Sequence, residues 1–270
     1  MNARQIPFLA LMLAPLMAGP AMAGEFAGRA QADLLPGWRD GAAGTHVAAL
    51  RIRLAPGWKT YWRAPGEAGI PPRFDWQGSD NLASVRIHWP VPHVFEQGGM
   101  RAIGYRDQVV VPITFVPRDP SAPIALVGRV DIGVCDDICI PLGLRLVADL
   151  GTAHTAPDPA ISAALNDRPA TPAEAGLRKI TCTAVPIDGG LRLSASIDMP
   201  PMGGDEASVI ELADPSVWVA DTDTTRQGDA LLAVADIYPA TTPFLLNRSE
   251  LRITVFGAQG AVDIRGCEGG

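Results

Sequence analysis

Basic charge is what this 270-residue chain lacks most plainly: 22 lysines and arginines stand against 29 aspartates and glutamates, a net charge of −7. No run of Lys or Arg offsets the deficit, which argues against nucleic acid or an anionic membrane surface as a partner. Beyond the first two dozen residues, long apolar stretches are missing as well. The best candidate, VVVPITFV at 109–116, has strand length and contains Pro112, well short of the ~18 apolar residues a membrane helix needs. Only four histidines occur, and His46, His88, His93 and His154 form no paired motif with the cysteines. A closed zinc site needs four ligands at recognisable spacing, so no metal site and no cofactor is expected. There is no G-x-S-x-G nucleophile signature, no phosphate-binding glycine loop, and no convincing acid–base pair in Glu67 and Asp75.

What is present begins with a leader, MNARQIPFLALMLAPLMAGPAMAGEF. Arg4 supplies the positive start, residues 6–17 a short apolar core and Ala21-Met22-Ala23 a small-residue cleavage site, the three parts of a secretory signal peptide. The core is too short for a span and is interrupted by Pro7, Pro15 and Pro20. The expectation is export to the periplasm with cleavage after Ala23, and no membrane insertion once the signal is removed.

The remainder reads as β. In VAALRIRL, Leu50, Ile52 and Leu54 alternate with Arg51 and Arg53, the period of a strand with one buried face. Similar runs occur at SVRIHW, QVVVPITFV, LVGRVDIGV, ICIPLGLRLVADL, LRLSASID, SVWVA, ALLAVADIY and LRITVF, punctuated by Gly and Pro turns. Many short strands favour sandwiches over alternating βα units. The predicted fold is all-β, two immunoglobulin-like sandwiches at 24–150 and 175–270. They are joined by an Ala/Pro-rich linker at 151–174, in which AISAALNDR could form a short helix. The aromatic group Trp58, Tyr61, Trp62, Trp76 and Trp89 reads first as core, and as a partner groove second.

Four cysteines in an exported chain point to disulfides, with three possible pairings. Placement favours Cys135 with Cys139 and Cys182 with Cys267. In LVGRVDIGVC the apolar side chains fall on even positions; in ICIPLGLRL they do so again. Both Cys135 and Cys139 are odd, so a turn at Asp136-Asp137-Ile138 would set both sulfurs on one outward face. A bridge closing five residues stabilises by roughly 2 kcal/mol of chain entropy, against about 4.6 kcal/mol for one closing 86. The long bridge therefore suits architecture, and the short one suits exchange chemistry. Asp136 and Asp137 should raise the thiol pKa and make the pair reducing. Two thiolates with an Asp holding a soft metal ion, and a purely structural short bridge, remain as alternatives.

VCDDICIP resembles the VC-x-x-x-C-x-P segment in the periplasmic N-terminal region of DsbD/ScsB-type thiol-disulfide reductases. The likeness extends through GWKTYWRAPGEAGIPPRFDW, WPVPHVFEQGG and GYRDQVVVPITF, covering most of 35–150. It implies an immunoglobulin-like domain whose cysteine pair, Cys135 and Cys139, takes electrons from a membrane thiol-disulfide donor and passes them to periplasmic thioredoxin-fold proteins. It further implies that Phe95 caps the sulfurs and that Tyr105 lies close to them. Full-length members continue into a membrane domain and a thioredoxin-like domain, and this sequence does not. A non-catalytic immunoglobulin-like binding or chaperone module with structural disulfides, or a copper-handling protein, are the competing readings.

Overall fold

The structure, a computed structural model, describes residues 24–26, 28–241 and 243–269; the expected signal peptide lies outside them. The first half is a sandwich of two antiparallel sheets. One runs Gly24–Phe26, Ala30–Asp40, Thr45–Leu54, Gln108–Pro117, Leu82–Ile87. The other runs Cys139–Leu150, Ile124–Cys135, Lys59–Tyr61, Met100–Arg106, His93–Gln97, with Arg73–Asp75 also paired to Ile124–Cys135. Alternation supplies the core between them: Leu50, Ile52, Ile113 and Phe115 of the first sheet pack with Leu126, Val130, Ile132 and Val134 of the second. Gly128 keeps the same phase because Trp76 occupies its place; a β-carbon there would come within 2.5 Å of the indole ring.

Strand Ala30–Asp40 is not among the alternating runs of the sequence, and it carries a bulge where the register shifts between Leu35 and Trp38. Pro36-Gly37 makes that irregularity, and Gly37 is obligatory: its φ is 63°, and a β-carbon would overlap the Val47 carbonyl.

The second half pairs a six-stranded sheet with a three-stranded one, and each sheet contributes to a core of its own. In the small sheet, strand Arg252–Gly257 is buried on both faces. Ile253 and Val255 enter the second core, while Phe256 joins the first-half core and meets the Trp62 ring edge-on at 5.4 Å. That two-sided burial explains the nearly continuous apolar run ITVF. All-β architecture with immunoglobulin-like sandwiches is thus observed.

Between the halves, Asp158 caps helix Pro159–Asn166 by accepting from the Ala160 and Ile161 amides. Ile161 packs against Trp38, Val47 and Ala49 on the outside of the first sandwich, so this segment is docked rather than loose. Arg63 crosses from the first half to the second, pairing through two nitrogens with Glu211 at 3.0 and 2.8 Å. Arg101 does likewise, donating to the Thr222 carbonyl at 2.8 Å. Among the described residues no helix is long and apolar enough to cross a membrane.

Candidate functional site

Strands Ile124–Cys135 and Cys139–Leu150 form one long hairpin whose last register pair is Cys135 with Cys139. The two are disulfide-bonded with Cα atoms 4.1 Å apart. The turn between them is the triplet Asp136-Asp137-Ile138, closed by the Asp136 amide donating to the Ile138 carbonyl at 3.2 Å. Cys182 and Cys267 are bonded as well, across 85 positions of sequence, and tie Lys179–Ile187 to the short parallel strand Glu268–Gly269.

Period-2 alternation does turn both sulfurs away from the sandwich core, but their outward face is covered. Cys135 is 0% exposed and clusters with Tyr61, Phe95 and Ala102, with Ala68 and Ile70 against them. Cys139 is exposed, and neighbouring Ile138 is 64% exposed at the hairpin tip. The two cysteines, equivalent by their acidic neighbours, are therefore unequal in space: one is sealed and the other is open.

The cover is a second hairpin, His93–Gln97 with Met100–Arg106. Its two-residue turn is Gly98-Gly99, with φ of 61° and 80°, the backbone that tight hairpins demand and that glycine adopts without penalty. The turn fixes Gln97 opposite Met100 and Phe95 opposite Ala102. Phe95 is 8% exposed. Two cations flank its ring, the Arg106 guanidinium at 5.0 Å and the Lys59 ammonium at 5.8 Å from the centroid. Lys59 is also the register partner of Cys135.

Among the described residues, hydrogen-bonding side chains reach the Cys139 sulfur and not that of Cys135. The Tyr61 hydroxyl lies 3.4 Å from Cys139 Sγ and 3.1 Å from Gln97 Oε1, and the Gln97 amide nitrogen is 3.6 Å from the same sulfur. Burial pushes the Tyr61 phenol above its ordinary pKa, with the Gln97 contact opposing it. Tyr61 is consequently a protonated donor at neutral pH. Asp136 turns toward the Gly57 backbone, where a β-carbon would stand 3.3 Å from its Oδ1; Asp137 is exposed at the tip.

Of the residues singled out in the sequence, Phe95 is brought to the sulfurs and Tyr105 is not. Tyr105 belongs to the sandwich core, and its hydroxyl donates to the Pro90 carbonyl at 2.9 Å. Lys59, Gln97 and Arg106 join the site; they lie within GWKTYW, VFEQGG and GYRD but are not singled out there, and Tyr61 is singled out only as one of an aromatic group. All four cysteines are in disulfides, and among the described residues no three His, Cys, Asp or Glu gather as a metal-binding group.

Against known proteins, residues 31–150 match the family described as "Thiol:disulfide interchange protein DsbD, N-terminal". A solved structure, the N-terminal periplasmic domain of ScsB from Proteus mirabilis, is similar in fold with a TM-score of 0.67 at 22% identity. The similarity covers 92% of this chain and 98% of that one, so it includes the second sandwich. No curated protein matches the sequence.

Proposed function

With residues 31–150 forming a DsbD/ScsB-type N-terminal domain, we propose that the chain is a periplasmic thiol-disulfide exchange protein working through Cys135 and Cys139. The observation that carries the reading is the asymmetry of the pair: an exposed Cys139 with two polar side chains beside its sulfur, and a Cys135 sealed beneath Phe95.

Cys139 makes first contact. In the reduced protein its thiolate attacks one sulfur of a partner disulfide, forming a mixed disulfide and expelling a partner thiolate that takes up a proton. The Cys135 thiol then loses its proton and attacks Cys139 Sγ. The mixed disulfide breaks, the second partner thiol leaves, and the Cys135–Cys139 bond is restored. Two electrons and two protons have moved to the partner. A dithiol on a membrane donor recharges the pair by the same steps in reverse, and thioredoxin-fold proteins are the acceptors. No cofactor is needed, because the cysteines carry the electrons.

Each neighbour has a task in this scheme. Tyr61 and Gln97 donate hydrogen bonds to the Cys139 thiolate as it forms. Phe95, in the hairpin above, keeps unspecific thiols from Cys135 until a docking partner displaces it. Asp136 and Asp137 oppose thiolate formation and Lys59 favours it, so the pair should be mildly reducing.

A redox titration in glutathione or dithiothreitol buffers, with thiols located by alkylation and peptide mass spectrometry, tests this. Reversible opening of Cys135–Cys139 while Cys182–Cys267 stays closed is the expected result. If both bridges resist until the protein unfolds, the pair is structural and the exchange reading fails.

A further inference from the structure

On the side of the molecule where the two halves and the docked helix meet, a cavity of about 620 Å³ is lined by Arg63, Arg86, Arg168, Arg252, Arg265 and Asp263. These come from both sandwiches and from the connecting segment. In a chain with an overall excess of acid, five guanidinium groups facing one space call for an explanation.

Much of this charge is already matched. Arg252 pairs with Asp263 through two nitrogens at 2.6 and 2.9 Å. Arg168 does so with Glu174, and Arg63 with Glu211. His88 also lines the cavity; burial first and Arg86 second hold it below its ordinary pKa, so the ring contributes no charge at neutral pH. Three carboxylates against five guanidinium groups leave two positive charges over. They sit on Arg86, which is exposed with no carboxylate partner among the described residues, and on Arg265, whose nearest carboxylate is the already engaged Asp263 at 3.9 Å. Arg63 Nη1 is buried without any hydrogen-bond partner and is closed to the cavity, so Arg63 lines the space as a paired cation rather than as a free donor.

We propose that this junction cavity is a binding site for a phosphate group, held by Arg86 and Arg265. A phosphate monoester or free phosphate carries about two negative charges and at least three acceptor oxygens. The charge matches the two unneutralised guanidinium groups, and their several N–H donors match the oxygens. Guanidinium forks suit such an oxyanion geometrically, and the volume falls within the usual range for small-ligand sites, ~300–1,000 Å³. Because both sandwiches supply ligands, the bound anion would clamp the halves in the orientation that the Arg63–Glu211 pair already favours. The site is separate from the cysteine pair and does not depend on the exchange reading.

Isothermal titration of the protein with inorganic phosphate at a fixed ionic strength of ~0.1 M tests this. Saturable one-to-one binding is expected, weakened about tenfold or more in the Arg86→Gln/Arg265→Gln double variant. Neither residue supports a core, so the variant should fold; circular dichroism would check it. Arg129→Gln, on the cysteine hairpin and ion-paired to Asp131, should bind phosphate as the parent does. Absence of saturable binding, an equal loss with Arg129→Gln, or citrate binding more tightly than phosphate would each overturn the assignment.

Discussion

Replacing Tyr61 by Phe removes one hydroxyl and leaves the ring packed against Cys135 and Phe95, so it isolates the polar environment of Cys139. The phenol has a single hydrogen and three acceptors in reach: Gln97 Oε1 at 3.1 Å, the Ala68 carbonyl at 3.4 Å and Cys139 Sγ at 3.4 Å. A disulfide sulfur is a weak acceptor, so in the oxidised protein the hydrogen goes to Gln97. Reduction makes Cys139 a potential thiolate, a far stronger acceptor, and a rotation of the hydroxyl redirects the bond to it. Hydrogen bonds to charged groups contribute about 1.5–3 kcal/mol. Cys139 is exposed and water competes, so the lower end applies, and about 1.4 kcal/mol is one pKa unit. The bond favours the thiolate, hence its loss should raise the Cys139 pKa by about one unit. Below that pKa, iodoacetamide alkylation of Cys139 in the reduced protein should slow about tenfold, because only the thiolate reacts. The measurement is the pH profile of that rate for parent and variant, with the alkylated peptide identified by mass spectrometry. An unchanged midpoint in a folded variant, or a midpoint that falls, would refute the hydroxyl's role.

The other predictions concern the cap, the core and the two bridges. Phe95→Ala should accelerate reduction of Cys135–Cys139 by dithiothreitol several-fold and cost about 3 kcal/mol of stability, read by stopped-flow and urea unfolding; an unchanged reduction rate would deny Phe95 any shielding role. Gly128→Ala should destabilise by about 1–3 kcal/mol through overpacking against Trp76, with the thiol chemistry unaffected. Substituting Ser at both Cys182 and Cys267 should cost up to about 4.6 kcal/mol in denaturant unfolding, whereas the same change at Cys135 and Cys139 should cost no more than about 2 kcal/mol and abolish exchange. Equal losses from the two pairs would contradict the separation of architectural from exchangeable bridge.

How much of the fold and the site is legible in the sequence depends on the distance over which the information acts. Alternation along LVGRVDIGVC and ICIPLGLRL is local, and it places the hairpin, its register pair and the facing of both sulfurs. What covers that face is not local. Lys59 lies opposite Cys135 in a neighbouring strand, 76 positions away in sequence, and no periodicity within either segment reports such a pairing. The inequality of the two cysteines is therefore invisible in the sequence, because it arises from Tyr61, Phe95 and Ile70 packing over Cys135 while Cys139 meets the polar ends of Tyr61 and Gln97 and stays exposed.

Tyr105 is a different case, since the sequence does contain the information that excludes it from the site. VFEQGGMRAIGYR carries Gly98-Gly99 between two strand-like segments, the signal for a two-residue hairpin turn. Such a turn sets Gln97 opposite Met100 and hence Phe95 opposite Ala102, as observed. Residues 102, 104 and 106 then share the face of Phe95, and 103 and 105 take the other. If Phe95 covers the sulfurs, Tyr105 must enter the core, where it is found, and Arg106 must lie beside Phe95, as it does. The same parity on the neighbouring strand sends Lys59 and Tyr61 to the sulfur side and Thr60 and Trp62 inward. Placing Phe95 and Tyr105 together over the sulfurs contradicts the parity of their own hairpin, and one glycine pair is enough to reveal it.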